Sequence, residues 1–191
     1  KRQMAINLLK EISDKDLRDV TMDVLVDNLD YTVDGEGETY NAYILNPRVS
    51  SEMIRPYKQE PSNYFNKEQT EKFRNNPQEL VEWIVKNIAI NDNVRVVMLP
   101  TSVIKSMVTD SRSRGIFFVS MARSLGIASR IDPVTSKVQY LKGDNWIDVN
   151  FEEEVIEAVP TQQGTLMAKY VPSGALTDLR YYTHFSIKKF N

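Results

Sequence analysis

The chain of 191 residues contains no cysteine and a single histidine, His184. Without a thiol there is no cysteine nucleophile, disulfide framework, Cys/His zinc site or haem-attachment motif. Neither sign of charge dominates: 24 Lys and Arg stand against 26 Asp and Glu, a formal net charge of −2. That balance supplies no general polyanion-binding surface and argues against nucleic acid as the main partner. Long apolar runs are missing as well. The longest, Ile116 to Ala122, is interrupted by Ser120 and falls far short of the roughly 20 residues of a membrane span, so no span is expected. There is no glycine-rich phosphate loop and no G-x-G-x-x-G, and the acidic pairs lack calcium-loop spacing, so neither a metal nor a cofactor is expected. The absence of cysteine fits an oxidising or a reducing compartment equally. The opening KRQMAINLL has neither an initiator Met nor a signal-like apolar run, and reads as an excised or processed piece.

What is present is an ordinary folded domain, 41% hydrophobic and 26% charged. Ala5, Leu8, Leu9 and Ile12 recur at helical spacing, and Ser13 with Asp16 is a start signal for a second helix with Leu17, Val20, Val24, Leu25 and Leu29 on one stripe. Asp34 to Gly37 breaks the pattern, with Gly35 and Gly37 reading as a hairpin turn, and Thr39 to Leu45 then reads as a strand. Residues 46 to 76 are irregular, with short helices expected near Met53 and over Phe65–Phe73. Asn76-Pro77 with Glu79 starts a clear helix whose buried face is Leu80, Val81, Ile84, Val85 and Ile88. Val94 to Leu99 reads as a short strand closed by Pro100-Thr101-Ser102. A helix from about Asp110 to Leu125, apolar nearly all round, stops at Gly126 and should be enclosed on most sides. Beyond it the period changes to that of strands: IASRID, KVQYL and NWIDVNF, then further strands to the C-terminus. Helices followed by antiparallel strands define an α+β domain.

The helix ending Arg123-Ser124-Leu125-Gly126-Ile127-Ala128-Ser129-Arg130, the hairpin strands after it, Trp146 with Asp148 and Val149, and Trp83 in the preceding helix resemble the core of the transglutaminase-like superfamily, which has a papain-like layout. The resemblance covers roughly residues 77 to 152. It implies one domain over 1–191, with a helical region at 1–76, the core at 77–152 and β strands at 153–191. The segment NPRVSSEMIRPY before the core resembles bacterial relatives in which the core sits inside longer, exported multidomain proteins, implying a periplasmic or cell-surface setting and other domains of a longer chain as partners. Counting back from Gly126, the family's nucleophile position falls on Ser111 and its acid position on Asn150, with Asp148 two residues earlier. No histidine lies between Ser111 and Trp146. A serine hydroxyl without a base is not a useful nucleophile, so the family's reaction is not expected.

The reading that follows is a catalytically inactive transglutaminase-like domain acting as a binding or scaffolding module. Two alternatives stay open: a hydrolase or peptidase pairing Ser111 with a relocated His184, and a carbohydrate- or peptidoglycan-binding module. Candidate binding residues are Arg112, Ser113, Arg114, Tyr140 and Trp146, for a protein, peptide or glycan ligand. Two cations in the first turn of a helix oppose its dipole, so Arg112 and Arg114 need either a bound anion or carboxylates such as Asp110, Asp132 or Asp148. The aromatics Tyr181, Tyr182 and Phe185 around His184 offer a further surface for sugars or peptides.

Overall fold

Local start signals shape most of the helices in the computed structural model, which describes residues 1–152. Helix α1 (Arg2–Glu11) comes first. Ser13 then caps α2 (Asp14–Asp19), its hydroxyl accepting from the Asp16 N–H at 3.1 Å, the pairing its S-x-x-D spacing predicts. The second helix is shorter than expected. The backbone turns extended at Val20 and Thr21, and α3 (Met22–Tyr31) begins afresh. Its buried face is Val24, Asp27 and Asn28 rather than a wholly apolar stripe, and Leu17 stays exposed.

Residues 39–45 correct a second expectation. They form the end of α4 (Glu38–Tyr40) and a π-helical turn, Asn41–Leu45, instead of a strand, and Gly37 is the N-cap of α4 rather than a hairpin residue. The β-favouring Tyr43, Ile44 and Leu45 lose to tertiary packing: Tyr40 and Leu45 join Met4, Leu8 and Ile12 in a small core that pins α1 in place. No helix forms near Met53. Two follow in the next stretch, α5 (Glu60–Tyr64) and α6 (Lys67–Asn75), the latter opened by a reciprocal Asn66–Gln69 capping box.

Helix α7 (Pro77–Asn87) starts with proline in its first turn, as read from the sequence. The run Val94–Leu99 is irregular, with Val96 exposed. Pro100 opens a helix, α8 (Pro100–Ser106), instead of closing a strand. The parallel pairing in this region is between β1 (Ala89–Ile90) and β2 (Val108–Thr109). Helix α9 (Ser111–Ser124) then runs through the middle of the fold, every residue from Gly115 to Ser124 buried. Around it pack Leu80, Val81 and Ile84 of α7, Val103 and Ile104 of α8, and Phe65 and Phe73 from α5–α6. The main core therefore draws on both sides of residue 77.

After α9 the chain forms an antiparallel meander, β3 (Ser129–Ile131), β4 (Val138–Lys142) and β5 (Asn145–Asp148), in that order. Mixed helix and antiparallel sheet is the α+β class read from the sequence. Pairing Ile131 with Val138, and the bond from Val149 N–H to the Val138 carbonyl, put Val138, Tyr140 and Val149 on the face that packs into the core with α9. By alternation Arg130, Gln139, Trp146 and Asp148 take the outer face.

Gly126 makes the α9–β3 junction. Its φ is +81°, and a Cβ there would stand 2.7 Å from Val33 Cγ2. Gly126→Ala combines left-handed strain with overpacking, and is expected to lower unfolding free energy by about 2 kcal/mol in urea titrations. No helix among the described residues is long and apolar enough to cross a membrane. The strands expected over 153–191, with His184, Tyr181, Tyr182 and Phe185, lie outside the described residues.

Candidate functional site

An α-helix starts with backbone N–H groups that have no partner within it, and at α9 carboxylates take the first three. Asp110, the N-cap, accepts from Arg112 N–H at 3.0 Å and Ser113 N–H at 2.9 Å through Oδ1. Asp92, from the loop after β1, accepts from Ser111 N–H at 2.7 Å through Oδ1 and from the Ser111 hydroxyl at 3.0 Å through Oδ2. Burial pushes the Asp110 carboxyl up, but the Ser113 hydroxyl beside it and the amide bonds outweigh burial and hold it below the usual carboxylate range. Two negative charges at the positive pole of α9 answer the question raised by Arg112 and Arg114 in its first turn.

The arginines themselves do not form the ion pairs anticipated from sequence. Arg112 is exposed and donates from Nη2 to Ser51 Oγ at 2.7 Å. Arg114 lays its guanidinium over the Phe151 ring, 4.6 Å from the centroid. Burial lowers its pKa, against the charges of Asp92 and Glu152. The carboxylates proposed as partners are engaged elsewhere: Asp132 with Arg130 at 3.2 Å, and Asp148 with Lys137. Ser113 is buried and its hydroxyl accepts from Met98 N–H at 2.9 Å, which makes it a support for the 94–99 loop rather than a binding residue.

Among the described residues the Ser111 hydroxyl bonds to a carboxylate, that of Asp92. A carboxylate of ordinary basicity is a poorer match to a serine proton than an imidazole, whose pKa lies nearer neutral pH. The Ser111 amide, which would otherwise polarise a substrate oxygen, is already bonded to Asp92. One helical turn along, Gly115 faces β4 so closely that a Cβ there would lie 2.7 Å from Val138 Cγ2. An isopropyl group thus fills the strand face that packs against the start of the helix.

Asn150 and Asp148 bond elsewhere. Asn150 Oδ1 accepts from Glu152 N–H at 3.0 Å. Asp148 accepts from Gln139 Nε2 at 2.7 Å and from Lys137, bonds that hold its carboxyl below the usual range. Both residues line a groove of about 880 Å³ between β5 and one face of α7, with Val81, Glu82, Val85, Lys86 and Glu152. Tyr140 is 5% exposed and packs near Phe118, so it belongs to the core and not to a binding surface. Trp146 is half-buried on the outer sheet face, its ring 4.1 Å from the Arg130 guanidinium and edge-on to Tyr43. Arg130 also donates to Gln139 Oε1 at 3.0 Å, so this patch is tied together internally.

Asp92 is the residue of this helix start that the sequence conceals. Asn91-Asp92-Asn93 reads as a turn, and nothing in it signals a bond to a serine nineteen residues later. Compared with models of known families, with curated proteins and with solved structures, the chain finds no match.

Proposed function

We propose that this chain is a catalytically silent relative of the transglutaminase-like enzymes, serving as a binding or scaffolding module of a larger, exported bacterial protein. The observation that carries the reading is the Asp92 carboxylate on Ser111: it occupies both the amide and the hydroxyl at the helix start where a nucleophile and an oxyanion site would have to be. The absence of any cysteine supports it, as does the order of enclosed helix, Arg123–Arg130 segment and hairpin. The groove beside α7, lined by Glu82, Asp148 and Glu152 against a single Lys86, offers a partner's cationic side chain more opposite charge than like charge.

The test has two arms. The full chain is expected to incorporate no amine into glutamine peptides and to hydrolyse no peptide substrate; turnover abolished by Ser111→Ala overturns the reading. In Ser111→Cys, two carboxylates offset the helix dipole, so alkylation against pH is expected to report a thiol pKa at or above the ordinary value of about 8.5. A thiol titrating below about 7 would mean that the helix start still activates a nucleophile.

A further inference from the structure

Residues 46–59 run without regular structure between α3 and α9, and polar ties fasten them along their length. Arg123 of α9 donates to the carbonyls of Asn46 at 2.9 Å and Arg48 at 2.7 Å. Arg48 in turn pairs with Asp16 of α2 at 2.5 Å. Glu52 folds back to accept from the Val49 and Ser50 N–H groups, each at 2.8 Å. Asp27 of α3 accepts from the N–H groups of Tyr57 and Lys58 at 2.8 Å and of Gln59 at 3.3 Å.

Lys58 lies at the end of this strap and is 1% exposed. Among the described residues its amine donates to the Ile44 carbonyl, at 2.5 Å. A protonated amine carries three donors and needs more than that. Of the charged groups facing it, Arg123 from α9 is a like charge that opposes protonation, whereas Asp27 from α3 favours it, although its oxygens are already spent on three amides. The Tyr57 ring, 5.6 Å from Nζ, and Glu52, bearing on Tyr57 and Arg123, complete the surroundings. A charged Lys58 is therefore poorly accommodated while the strap is closed and freely hydrated once it opens.

We infer that residues 46–59 form a latch whose opening takes up one proton at Lys58. Burial, and then the charge of Arg123, outweigh the pull of Asp27 and push the amine well below the usual lysine range. In the open strap it returns to about 10.4. Between those two values the open form binds a proton that the closed form lacks, so each unit fall in pH makes opening up to tenfold easier. Below the closed-state value the effect saturates. The Asp16–Arg48 tie titrates in a separate window: Asp16 is held below the usual carboxylate range, so its contribution is lost only as pH falls through that lowered value.

Hydrogen exchange on the full chain between pH 6 and 10, corrected for intrinsic exchange rates, reads the latch directly. Protection of the Tyr57 and Lys58 amides is expected to rise with pH, by up to tenfold per unit, across part of that range. Protection in α7 and α9 should be higher and should not follow the same slope. Lys58→Met removes the titrating group, and Lys58→Gln keeps a donor for the Ile44 carbonyl; both are expected to give flat profiles. The inference is overturned if the wild-type profile is flat, if the slope persists in a variant that folds, or if these amides exchange only together with the whole core.

Discussion

Replacing Arg123 by methionine is expected to lower the free energy of unfolding by about 3–4 kcal/mol, among the largest effects a single substitution has in this chain. The residue is 3% exposed and donates to three backbone carbonyls: Ser129 through Nε at 3.0 Å, and Asn46 and Arg48 through Nη1. Each carbonyl left buried and unpaired costs about 1–3 kcal/mol. Removing a charge from the interior, where burial has already lowered its pKa, returns part of that loss, because methionine fills much of the same volume. For a domain of this size the balance corresponds to a fall of roughly 10 °C in melting temperature. Arg123→Lys should fare little better, since an ammonium cannot reproduce the guanidinium fork that reaches three acceptors. Urea titration checks both; a loss under about 1 kcal/mol would mean that water reaches the abandoned carbonyls.

Asp27→Ala is expected to cost about 3 kcal/mol, by the mirror-image mechanism of orphaned donors instead of orphaned acceptors. The Tyr57 and Lys58 amides lie in buried surroundings and have only this carboxylate as partner among the described residues, while the longer bond from Gln59 is nearer solvent. Asp27→Asn keeps one oxygen to accept from them, and its loss should be about half as large. Equal losses in the two variants would show that the carboxylate's charge, not its acceptor geometry, holds the strap. Thermal melts of the three proteins side by side distinguish the cases.

Both predictions concern charged residues that a sequence reader places on the surface. Lysine, arginine and aspartate are seldom buried, and no local pattern marks Asp27, Lys58 and Arg123 as exceptions. Their burial follows from the irregular strap, whose backbone groups have no helix or strand to satisfy them and must find side chains instead. The same limit hides Asp92. What was legible depended on near neighbours in the chain: the Ser13–Asp16 cap, Pro77 in the first turn of α7, and the arrest of α9 before Gly126. The β3–β4–β5 meander was visible for the same reason, in alternating side chains with a Gly143-Asp144 turn between Lys142 and Asn145. The segments 39–45 and 94–99 carry apolar and aromatic residues that favour strands, but packing around Tyr40 and the helix started by Pro100 decide otherwise.

The tight seam between Gly115 and Val138 limits what either position can become. An imidazole introduced at residue 138 is bulkier than the isopropyl group already touching the helix backbone, so the sheet would have to shift before the ring could enter. A larger side chain at either residue of this seam therefore needs a compensating change at the other, so the two positions are free to vary only together.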